Sequence, residues 1–134
     1  MSAFDSLDPF AGFELLSTYL RADALADKVL VDISDEARQL GFRVPVATTA
    51  AVYAYLDPLE SLIREGQSLA GRTHDLLSVL RFAGAVHPDR SMLHFRVLFV
   101  LTPGCPPEPV ALKAIIGPGD SGEPVLTILL PSED

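Results

Sequence analysis

The chain is poor in three things that would have narrowed its chemistry quickly: cysteine, basic residues and long apolar runs. Cys105 is the only cysteine, which excludes an internal disulfide and any cysteine-based zinc cluster and fits a reducing compartment. Ten Lys and Arg stand against eighteen Asp and Glu, a formal charge of -8. Such a field repels a phosphate backbone, so direct nucleic-acid binding is disfavoured. No segment approaches the ~18 consecutive apolar residues of a membrane span. The opening MSAFDSLDPFAG carries acids where a secretory signal has a basic patch. The expectation is a cytoplasmic protein without membrane contact. Internal repeats and low-complexity tracts are also missing.

What is present is enough for one core. A length of 134 residues suits a single domain, and an apolar fraction of 49% can offset the chain entropy lost on folding. Residues 1–12 show no sustained period and read as a loosely held arm before a domain spanning 13–134. RADALAD is rich in helix formers and VLVDIS is β-branched, predicting a short helix that feeds a strand able to join a sheet edge. Ser34 reads as the N-cap of SDEARQLG, with Gly41 closing the helix in a left-handed conformation. Thr48 or Thr49 can cap AAVYAYL, and the stretch 57–67 fits neither period.

Between Ser68 and Gly84, Leu69, Leu76, Leu77, Leu80 and Ala83 recur at helical spacing, with Arg72, Asp75, Ser78 and Arg81 assigned to the polar side. The period then changes to two: Leu93, Phe95, Val97, Phe99 and Leu101 alternate with more polar residues, as in a strand with one face on a core. The proline-rich TPGCPPEP ends that strand. VALKAII and PVLTILLP read as two more strands. Helices first and a strand meander last predict an α+β domain, with short helices packed on one face of a mainly antiparallel sheet.

The octapeptide GPGDSGEP, 117–124, comes within one residue of the GDSGGP signature around the nucleophilic serine of chymotrypsin-like proteases. A serine nucleophile needs an imidazole base and glycine-flanked backbone donors for the oxyanion. Here Glu123 replaces the second glycine and puts a carboxylate where negative charge would develop. As backbone architecture the octapeptide is fully accounted for: Gly117, Gly119 and Gly122 permit positive φ, two prolines fix φ, and Asp120 and Ser121 bond nearby backbone groups. It reads as a long hairpin connection that presents acids to a partner.

His74, His87 and His94 are the only imidazoles, and no pair has zinc-motif spacing. Cys105 lies among prolines with no basic neighbour to stabilise a thiolate. The octapeptide lacks the lysine and following helix of a phosphate cradle. No cofactor or metal site is predicted.

VLVDIS, EARQLGF, VPVATTAAV, GRTHDLLSVL and LKAIIGPGDSGEPVLTILLP together resemble an uncharacterised family of small acidic domains that recurs in bacteriophages, plasmids and integrative elements. The likeness runs from about Tyr19 to Asp134. The chain departs from that pattern at Lys28, where glycine is usual, and at Leu20, where a capping Ser or Thr is common. The resemblance implies an accessory factor of a mobile element, without catalytic residues, that inhibits a host defence complex of the CRISPR or restriction type. Its contacts with a basic partner surface are expected at Asp120, Ser121, Glu123, Glu108, Glu133 and Asp134. Two alternatives stay open: a small metal-dependent or serine hydrolase using His74, Asp75, His94 and Ser121, and a structural homodimer formed through an exposed strand.

Overall fold

The computed structural model describes residues 19–134, so the arm expected at 1–12 lies outside the described residues. The protein is an α+β domain. Five helices, α1 (Arg21–Ala26), α2 (Ser34–Gln39), α3 (Ala50–Leu56), α4 (Glu60–Ile63) and α5 (Leu69–Val86), accompany five strands among the described residues. These are β1 (Leu30–Asp32), β2 (Val46–Thr49), β3 (Met92–Phe99), β4 (Glu108–Pro118) and β5 (Pro124–Leu129). They form one sheet in the order β1-β2-β5-β4-β3. All neighbours are antiparallel except β2 and β5, whose parallel register sets Val46 beside Leu126 and Thr48 beside Ile128.

Alternation along β3 and β4 turns Phe95, Val97 and Phe99, and Val110, Leu112 and Ala114, into the core. There they meet Leu76, Leu77 and Leu80 of α5, Val52 and Leu56 of α3, and Ala37 of α2. α1 reaches the opposite face: the Arg21 guanidinium donates to the Thr127 hydroxyl (2.7 Å) and the Leu126 carbonyl (3.1 Å). Thr127 points away from Leu126 and Ile128, which face the core. Partial burial pulls the Arg21 pKa below its usual value, with Asp32, Asp120 and Glu123 acting in the other direction.

Several local expectations hold. Thr49 caps α3 by accepting from the Val52 amide (3.3 Å). Gly41, at φ +92°, closes α2 while Phe42 N–H returns to the Ala37 carbonyl. VLVDIS supplies β1, at a sheet edge.

Four details differ. Ser34 is not the cap of α2: buried at its first turn, it donates to the Asp32 carboxylate (2.5 Å) and accepts from the Val46 amide (3.0 Å), tying β1 to β2. Arg72 is buried rather than on the polar side of α5. VPVATT contains the buried strand β2 instead of a helix lead-in. β4 begins at Glu108 and takes in Pro109, whose missing N–H is harmless because β5 pairs β4 only from Lys113 onward.

Thr48 is fully buried in β2, and its hydroxyl has no hydrogen-bond partner among the described residues. An unsatisfied buried hydroxyl costs about 1–3 kcal/mol. Thr48→Val, which keeps the shape and the β-branch, is expected to raise the unfolding free energy by about 1 kcal/mol in urea titration.

Candidate partner-binding site

The octapeptide joins β4 to β5, with Pro118 opposite Pro124 and a tight turn between them. Gly119 N–H donates to the Glu123 carbonyl (2.6 Å) and Gly122 N–H to the Gly119 carbonyl (3.1 Å). Of its three glycines only Gly122 has a positive φ (+84°). Gly119 is needed for space, since a Cβ there would lie 2.6 Å from a Glu123 carboxylate oxygen and 2.9 Å from Val125.

The two carboxylates of the turn are both engaged. Glu123 accepts the Ser121 amide (2.9 Å). Asp120 reaches across ninety-nine sequence positions to accept the amides of Arg21 (2.6 Å) and Ala22 (3.0 Å), the first two N–H groups of α1. Leu20, at the N-cap of α1, has no acceptor in its side chain, and Asp120 supplies one from the far end of the sequence.

The other expected contacts lie at the opposite end of the sheet. Glu108 starts β4 opposite Phe99 and is exposed. Glu133 is half-buried and accepts from the Thr49 hydroxyl (2.7 Å) and the Leu130 amide (2.9 Å). Asp134 is exposed. The six residues therefore form two groups rather than one patch, with Asp120, Ser121 and Glu123 in the turn and Glu108, Glu133 and Asp134 away from it.

Ser121 is exposed, and no hydrogen bond links its hydroxyl to an imidazole among the described residues. His74 lies on α5, 3.9 Å from its neighbour Asp75, His87 follows the end of α5, and His94 is on β3. No group of three His, Cys, Asp or Glu residues is gathered for a metal among the described residues. Cys105 is exposed.

The sequence reading missed the roomiest concavity described, a groove of about 440 Å³ beside β1. Leu25 of α1, Leu30 and Val31 of β1, and Ala50 and Tyr53 of α3 line it, with Lys28 and Asp32 at its margin. Lys28 follows α1 and has φ +62°, the left-handed conformation of a helix-closing glycine, with Val29 N–H returning to the Ala24 carbonyl (2.9 Å). Lys28 is thus a strained lysine lining the groove. The left-handed conformation costs a non-glycine residue about 1–2 kcal/mol. Lys28→Gly is expected to stabilise the fold by about 1 kcal/mol, read as a higher denaturation midpoint.

Asp23 of α1, Asp27 just after it, Asp32 of β1, and Asp35 and Glu36 of α2 come from this part of the chain, and Asp32 alone of them lines the groove. Tyr19 donates to Asp27 (2.9 Å), which raises the tyrosine pKa.

No helix among the described residues is long and apolar enough to cross a membrane. Fold and site together define a small acidic α+β domain with a grooved sheet edge. The chain belongs to the family of unknown function DUF6573, which matches residues 7–134. No curated protein and no solved structure matches it.

Proposed function

We propose that the protein is a non-enzymatic, protein-binding accessory factor of a mobile genetic element such as a bacteriophage or plasmid. Its target is a host defence complex of the CRISPR or restriction type, acting in the cytoplasm. The observation that carries this reading is the uncompensated acid. Among the described residues only Arg38–Asp35 and Arg64–Glu60 join an arginine to a carboxylate, and both pairs are exposed. The negative excess is therefore not consumed by internal pairing.

Machines that handle nucleic acid expose basic grooves, and an acidic domain approaches them with favourable steering while being repelled by the nucleic acid itself. The acids at the β1 edge add to this field: Asp23, Asp27, Asp32 and Asp35 accept hydrogen bonds as the turn carboxylates do, and Glu36 is exposed with no such bond among the described residues. The test is protection of phage or plasmid in hosts carrying a defined restriction or CRISPR system. Protection is expected with the parent protein and its loss with Asp35→Lys combined with Glu36→Lys. No protection in any such host, together with no stable complex with the purified defence proteins, overturns the reading.

A further inference from the structure

The two edges of the sheet are unequal. β1 has three residues, whereas β3 has eight, Met92–Phe99, in unbroken register with β4 and without proline. The Ser91 carbonyl accepts the Ile116 amide (2.8 Å), which fixes the phase of the ladder. Leu93, Phe95, Val97 and Phe99 direct their backbone groups at β4, and Met92, His94, Arg96 and Leu98 direct theirs outward from the sheet. Among the described residues no strand pairs with this row, and an open row of this length is a template for another strand.

Large apolar side chains flank that row. Leu98 is 62% and Met92 47% exposed on the face away from the core. On α5 Phe82 is 72% and Val86 54% exposed. Arg81 lies against Gly41 beyond α2. Phe82 shares a concavity with Leu40, Ser78 and Arg81 on that α2 side of the helix. The surface is also nearly free of acid: from Leu76 to Pro107 the sole carboxylate is Asp89. A second copy can approach here without opposing its excess negative charge to that of the first.

We propose that β3 pairs antiparallel with β3 of a second copy about a two-fold axis at Phe95, continuing the sheet. This is independent of the function proposed above. The register follows from side-chain direction. Directly opposed residues share a face, so a two-fold axis must pass through a residue position. Centred on Phe95, Met92 meets Leu98 of the partner copy, His94 meets Arg96, and each pair exchanges two hydrogen bonds. Centring on Arg96 would oppose two guanidinium groups directly, and centring on His94 would set Leu98 against Arg90.

The test uses the full chain. Sedimentation equilibrium in the micromolar range is expected to give 28.8 kDa, twice the 14.4 kDa chain. Amide exchange resolved by NMR is expected to show Met92, His94, Arg96 and Leu98 protected along with the alternating residues that face β4. Met92→Lys and Leu98→Lys, both at exposed positions, are each expected to weaken the dimer about tenfold or more, with the amides of Phe95 and Val97 still protected. A 14.4 kDa species throughout that range overturns the proposal. So does a dimer in which the four outward amides exchange freely, or one indifferent to both substitutions.

Discussion

Arg72→Met is expected to lower the unfolding free energy by about 3 kcal/mol, the largest loss foreseen for a single side chain. Arg72 is 4% exposed and no carboxylate hydrogen-bonds to it among the described residues. Its guanidinium donates instead to the Tyr55 carbonyl (2.7 Å), at the end of α3, and to the Val100 carbonyl just after β3, and lies 5.4 Å from the Phe99 ring centre. Burial pushes its pKa below the usual arginine value. Methionine fills much of the volume but leaves two carbonyls without donors, at places where the chain leaves regular structure and has no backbone donor to offer. Arg72→Lys keeps the charge but not the planar fork that spans both acceptors, so a loss of about 2 kcal/mol is expected. Urea titration of the three proteins checks this ranking, and a loss below about 1 kcal/mol for methionine would show that the carbonyls find other partners.

Asp120→Ala is expected to cost about 2 kcal/mol, the upper end for a helix cap. α1 has six residues and lacks an acceptor at its own N-cap, so the two amides held by Asp120 are a large share of what fixes its start. The same carboxylate joins α1 to the β4–β5 turn, and its removal also loosens Arg21 over Thr127. Faster exchange of the Arg21 and Ala22 amides should accompany the loss. Asp120→Asn, which keeps one acceptor oxygen, should recover about half of it. Unchanged exchange at those two amides would sink the capping assignment.

The sequence made local structure readable and left the long-range structure hidden. The β3 alternation, the Thr49 cap and the Gly41 closure each depend on residues within one or two turns of each other, and the expected elements lie where those signals put them. β2 was missed because a central strand buried on both faces has no alternation, and its parallel partner β5 lies about eighty residues further along the chain. Arg72 was assigned to solvent by residue type, although it stands four residues before Leu76 on the same helical face. For the candidate site, composition foretold the acid excess but not its distribution. Asp120 looked like an outward charge because nothing near it in sequence reveals that Arg21 and Ala22 lie within reach. Lys28 was noticed only as a departure from a pattern, and its positive φ supplies the physical reason that glycine suits the position.

The strand order carries a timetable. β5 follows every other strand in the chain yet stands at the middle of the sheet, between β2 and β4. Until it emerges from the ribosome, the β1–β2 and β3–β4 pairs have no common neighbour and must wait as separate hairpin-like pieces with bare apolar flanks. Docking of β5 thus joins the two halves at once, and the chain is most vulnerable to chaperone capture and aggregation until that happens.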